Sequence, residues 1–144
     1  MDTGKKVFPE LRIANNIAAA YINALMHNDD MRMLHGRIIK YLFEHEQDDV
    51  YQRDIEELLA IRRSTATTIL QCMERKGLIT RTNVSCDARL KKICLTDHAR
   101  AIHDAIITQL EHAEKQATRG ISREELEQFF AVLEKIKNNL REQQ

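Results

Sequence analysis

DIEELLAIRRSTATTILQCMERKGLITRTNVSCDARLKKICLTD, residues 54–97, contains a complete run of local structural signals. Ile55, Leu58 and Leu59 share one side of a short helix opening at Tyr51, and Ala60-Ile61-Arg62-Arg63 reads as a tight turn. A second helix follows over about 63–76, with Ala66, Ile69, Leu70 and Met73 inward and Thr65, Thr67, Thr68, Gln71 and Glu74 outward. Gly77 stands where a helix is commonly ended by a residue of positive φ. Leu78–Thr82 and Leu90–Leu95 are β-compatible runs around the polar segment Asn83–Ala88, so they pair as a hairpin over about 79–95.

The flanks are helical. Leu11, Ala14, Ile17, Ala18, Tyr21 and Leu25 recur at spacings of three and four, marking a helix that begins just after Pro9 and ends near residue 28. Asn28-Asp29-Asp30 can cap a second helix carrying Met31, Leu34, Ile38 and Leu42 inward, and Glu46–Asp49 reads as a polar turn. Thr96-Asp97 opens a long helix with Ala99, Ile102, Ile106, Leu110 and Ala113 on one side, broken at Arg119-Gly120. Ser122 and Glu125 stand in capping-box register before a last helix striped by Leu126, Phe129, Phe130, Leu133, Ile136 and Leu140. The expected fold is mainly α with a small β-hairpin. With 144 residues, four glycines and one proline it forms one domain.

Twenty-two basic and 22 acidic residues cancel, so total charge names no polyanionic partner. The distribution does. Between Ala60 and Lys92 eight bases face two acids, a local charge of +6, whereas Glu44–Glu57 holds seven acids and only Arg53. One face can therefore attract phosphate while the molecule stays neutral. Cys72, Cys86 and Cys94 form neither an even framework nor a CxxC pair, which fits a reducing cytoplasm. The N-terminus lacks the apolar core of a signal peptide, and no run is long enough for a membrane span. No nucleophile elbow, phosphate-cradling glycine loop or metal motif is present, so neither catalysis nor a cofactor is expected.

Ser64-Thr65-Ala66-Thr67, then Gly77-Leu78-Ile79-Thr80-Arg81, then Asp87-Ala88-Arg89 and Leu95-Thr96, in this order and at these spacings, resemble the MarR family of bacterial transcription regulators over nearly the whole chain. The resemblance implies a winged helix-turn-helix over 30–96, with 63–76 as recognition helix and 79–95 as wing. It also implies dimerisation helices at 8–28 and 97–142, a homodimer, and double-stranded DNA as partner, bound at a pseudo-palindromic operator. Recognition helices would enter the major groove and wings the minor groove. One departure is Arg62, which stands where many family members place a Ser or Thr cap, leaving the cap to Ser64 or to none.

The residues expected at DNA are Arg62, Arg63, Ser64, Thr65, Thr67, Thr68, Gln71, Arg81, Asp87, Arg89, Lys91 and Lys92. Arg62, Arg63, Lys91 and Lys92 suit phosphates, and three threonines in four positions are poor helix chemistry unless their methyls and hydroxyls meet bases. The resemblance assigns Asp87 to bracing the wing and Arg89 to the groove, where its length and fixed charge suit a narrow minor groove. It further implies a repressor released by a small aromatic or phenolic effector, bound near Tyr21, Met31, Leu34, His35 and Ile38. A winged-helix adaptor for protein partners is the alternative, as is a thiol- or metal-responsive regulator using Cys86 or the histidines His98, His103 and His112.

Overall fold

The computed structural model describes residues 3–25, 33–84 and 87–143. Its elements are α1 (Val7–Leu25), α2 (Met33–Glu44), α3 (Gln52–Leu59), α4 (Arg63–Arg75), β1 (Ile79–Val84), β2 (Asp87–Leu95), α5 (Asp97–Ala117) and α6 (Arg123–Arg141). The mainly helical chain with one antiparallel hairpin is the winged-helix architecture expected from the sequence. It divides into two compact units, Met1–Ala113 and Glu114–Gln144.

The first unit holds the core. Ile38, Ile39 and Leu42 of α2 meet Ile55 of α3, Leu70 and Met73 of α4, Ile79, Ile93 and Leu95 of the hairpin, and Ala99 and Ile106 of α5. Leu70 and Met73 lie three apart, Ala99 and Ile106 two turns apart, and Ile93 and Leu95 alternate, so the helical and strand periodicities converge on one apolar volume. Ile38, Ile55, Leu70 and Met73 have no accessible surface, and truncating one to Ala costs about 2–5 kcal/mol. Val50, just before α3, accepts at its carbonyl from the Ile93 N–H at 2.8 Å, tying the α2–α3 connection to the outer edge of β2.

Local chemistry explains the joints. Asp54 accepts the Tyr51 N–H at 2.8 Å, satisfying a donor at the start of α3. Ala60 ends α3 at φ 51°, a left-handed conformation unusual for a residue with a Cβ, and Gly77 takes φ 69° after α4. Thr96 joins the hairpin to α5: its hydroxyl donates to the Gly77 carbonyl at 2.6 Å and accepts from the Ala99 N–H at 3.1 Å. One side chain thus serves both the exit of α4 and the first turn of α5, which is the physical content of the Leu95-Thr96 pair. Arg100 bridges Asp97 on its own helix and Glu46 in the α2–α3 turn, and the Glu46 bond raises its pKa further.

Two boundaries depart from the sequence reading. Helix α1 begins at Val7, ahead of Pro9, because a first-turn residue needs no N–H partner and proline is tolerated there. The strands outrun their apolar segments: Asn83 pairs with Lys91 and Val84 with Asp87, so Asn83, Val84 and Asp87 of the expected loop belong to the ladder. Backbone pairing in a projecting arm needs no buried side chains, and an apolar pattern cannot report it. Helix α4 begins at Arg63 after Arg62, with no side-chain cap. Asn28-Asp29-Asp30 and Cys86 lie outside the described residues.

In the second unit, Ser122 accepts from the Glu125 N–H at 3.1 Å while the Glu125 carboxylate accepts from the Ser122 N–H at 2.8 Å, the reciprocal cap the sequence predicts. Gly120 turns at φ 77° before it. Helix α6 buries no residue within the chain, and neither does α1. Phe129, Phe130 and Val132 are more than half exposed, as are Phe8 and Ile17 on α1.

Candidate nucleic-acid interface

The hairpin register sorts the basic residues. Paired residues share a face, so Ile79, Arg81 and Asn83 lie with Leu95, Ile93 and Lys91, while Thr80 and Thr82 lie with Cys94 and Lys92. Ile79, Ile93 and Leu95 are buried, and their face therefore turns toward the helices. Farther along the same face come Arg81 and Lys91. The register passes from Lys91 to Asp87 across an irregularity between Asn83 and Val84, and Arg89 lies within that span of β2, toward the outer part of the wing.

Between this face and the amino ends of α3 and α4 lies a groove of about 340 Å³. Arg53, Arg63, Arg81, Arg89 and Lys91 line it against a single acid, Glu56, with Tyr51, Leu90 and Ile93 as apolar wall. Four of the residues singled out in the sequence, Arg63, Arg81, Arg89 and Lys91, thus converge although up to 28 positions separate them. Like charges are costly to hold together unless an anion is shared, and an open groove of this kind suits phosphate oxygens. Arg53 was missed by sequence reading because it sits among seven acids. The signal was its place one residue inside α3, next to Tyr51, over whose ring its guanidinium lies at 5.8 Å.

Other basic residues have different surroundings. Arg81 donates from Nε and Nη2 to Oε2 of Glu74 on α4. Lys92, on the opposite face of the ribbon, pairs with Asp49 at 2.9 Å, and that bond holds its ammonium above the usual lysine pKa. Arg62 is exposed at the cap position of α4. The bracing role expected of Asp87 concerns a side chain outside the described ones.

The outer face of α4 is polar and ordered. Ser64, Thr65, Thr68 and Gln71 are exposed and Thr67 is half-buried. Thr68 donates to the Ser64 carbonyl at 3.1 Å and Thr67 to the Arg63 carbonyl at 2.9 Å. Gln52, at the start of α3, donates to both the Arg63 carbonyl and the Thr67 hydroxyl.

The residues expected around an effector are spread over different environments. Tyr21 on α1 is 40 % exposed, Leu34 is half-buried, and His35 and Ile38 are buried, Ile38 within the central core. Met31 lies outside the described residues. His103 is buried and stacks on Phe43 of α2 at 3.7 Å between ring centres, so it packs as an aromatic. Among the described residues no three His, Cys, Asp or Glu side chains gather as a metal site requires. No described helix is long and apolar enough to cross a membrane.

Known proteins share this arrangement. The MarR family model matches residues 29–90. The transcription regulator MarR from Oenococcus oeni PSU-1 is 30 % identical, the match covering 90 % of this chain and 97 % of that one, with a TM-score of 0.76. MepR of S. aureus, solved as a MepR–DNA complex, is 27 % identical over 94 % of this chain and 99 % of its own, with a TM-score of 0.85. A Listeria monocytogenes regulator solved with a 26mer DNA shares the fold at 18 % identity and a TM-score of 0.80, over 96 % of this chain and 91 % of that one. On the ordered motifs, the winged-helix fold and these full-length matches, the chain belongs to the MarR family of DNA-binding transcription regulators.

Proposed function

We propose that this regulator is a repressor that binds a pseudo-palindromic operator as a homodimer and is released by a small aromatic or phenolic effector. The observation that carries the DNA-reading part is the groove in which Arg53, Arg63, Arg81, Arg89 and Lys91 meet beside the threonine-bearing face of α4. Phosphates held along the groove would fix the register in which Ser64, Thr65, Thr67, Thr68 and Gln71 meet base edges. MepR, solved on DNA, lends its complex as the analogy.

Dimerisation follows from α1 and α6. Val7, Phe8, Ile13 and Ile17 on one, and Phe129, Phe130 and Val132 on the other, leave more apolar surface to water than isolated surface residues account for. A second copy covers it and gives the two-fold symmetry of the operator. An effector that favours a dimer whose two wings no longer match the half-sites weakens DNA binding by its own coupling free energy. Of the expected set we place it beside Tyr21, Leu34 and His35, Ile38 being sealed in the core.

The test is binding of the purified protein to duplexes from its own upstream region across a range of salt. A specific site held at least about a thousandfold more tightly than random duplex, with affinity falling steeply as salt rises, is the expected result. A flat salt response or no preference would end the reading, and binding to a protein partner unaffected by reversing the charge of Lys91 would replace it with an adaptor.

A further inference from the structure

Resting on the DNA-reading function above, we infer that Gln52 is a positioning residue for base selection: by holding the Thr67 hydroxyl it takes that side chain out of the donors α4 can offer and disfavours guanine at the pair Thr67 meets. Gln52 belongs to α3, outside the recognition helix, and is half-buried. Its Nε2 donates to the Arg63 carbonyl at 3.2 Å and to Thr67 Oγ1 at 2.9 Å. A carbonyl oxygen can only accept, so the amide nitrogen is the end that faces α4.

Thr67 has one hydroxyl proton, and it goes to the Arg63 carbonyl at 2.9 Å. Gln52 fills one of its lone pairs. Thr68 gives its proton to the Ser64 carbonyl at 3.1 Å. Back-bonding of this kind is ordinary inside helices and easily exchanged for another partner. The bond from Gln52 differs, because it arrives from a second helix and fixes the Thr67 rotamer together with the approach of α3 to α4.

Thr67 is then left with a lone pair and a methyl group. In the major groove guanine offers only acceptors, adenine offers a donor at N6, cytosine one at N4, and thymine a methyl. A side chain left with an acceptor and a methyl finds nothing to accept from guanine, and favours a base that offers it a donor or a methyl. If the Thr67 hydroxyl were free to turn, it could donate to guanine and the preference would relax.

The experiment uses the full-length protein and its best duplex from an unbiased selection, with every single base-pair variant of that duplex as competitor. Wild type should reject G·C at one or more pairs per half-site. Gln52→Met, which keeps length and helix propensity, should relax that rejection about tenfold while the salt slope stays the same, since no charge is lost. Thr67→Val, which has no hydroxyl to free, should keep the rejection, and adding Gln52→Met to it should change nothing further. Equal losses at every pair, or additive effects of the two substitutions, would show that Gln52 only supports the fold. A wild type that discriminates and a Gln52→Met protein that matches it would remove this inference alone. A wild type with no preference for any duplex would remove the regulator reading as well.

Discussion

Arg81 on the first strand of the wing is bonded to Glu74 on the recognition helix, its Nε and Nη2 lying 2.8 and 2.7 Å from the same carboxylate oxygen. The wing is thereby referenced to the helix it accompanies, and one of the groove's five bases is partly neutralised. Replacing Glu74 with Gln should have two separable effects. Stability falls by about 0.5 kcal/mol, since the pair is half-exposed, and low-salt affinity for random duplex rises severalfold because a negative charge leaves the basic face. Thermal melting and salt-titrated anisotropy measure the two, and weaker random binding would show that the clamp matters more than the charge.

Arg89 lies on β2 toward the outer part of the wing and lines the groove. Arg89→Ala should lower operator affinity by tenfold or more, about 1.4 kcal/mol, with helix content and oligomeric state unchanged. Loss of folding in circular dichroism would mean that the residue supports the structure and was mistaken for a contact.

Lys91 and Lys92 are neighbours in sequence on opposite faces of the ribbon. Lys91→Ala should weaken binding to all duplexes and lower the salt slope by about one, whereas Lys92→Ala should do so much less, its charge being spent on Asp49. The raised pKa of Lys92 gives the sign of its pH response: the Asp49 pairing is fully present below the ordinary lysine pKa and is lost only as pH rises through the higher folded value. The difference between the two variants should therefore hold from pH 6 to 8. Equal effects would place both faces at the DNA.

Thr96 bonds the Gly77 carbonyl and caps α5. Thr96→Val preserves shape and removes both bonds, so unfolding free energy should drop by about 1–2 kcal/mol in urea titration. No change would show that water replaces the hydroxyl.

Phe130 is 52 % exposed on α6 and Ile17 65 % exposed on α1. Charged substitutions at either, Phe130→Glu or Ile17→Glu, should shift the sedimenting species from dimer to monomer and sharply reduce operator affinity, since each half-site alone gives up the shared binding energy. A dimer that survives both would place the interface elsewhere.

Much of this molecule is legible along the chain. The inward sets of α3 and α4, the alternation of the strands, the Gly77 turn and the Ser122–Glu125 cap are all local or periodic signals, and each appears where its residues predict. Strand ends at the wing and the start of α1 were read less well, because pairing in an exposed arm and the tolerance of Pro9 in a first turn leave no apolar pattern. Along the chain His103 reads as an isolated histidine, and only the fold shows that it stacks on Phe43.

The sequence by itself determined the element order, the inner faces and the family, since all three rest on spacings between neighbouring residues. Which bases act together was decided by tertiary structure. Arg53 reaches the groove from an acidic stretch, Lys92 is turned away by a single residue of register, and Gln52 meets Thr67 across the space between two helices. Charge can be counted along a chain, but the sharing of an anion or a hydroxyl depends on distances that only packing of the helices against the hairpin sets.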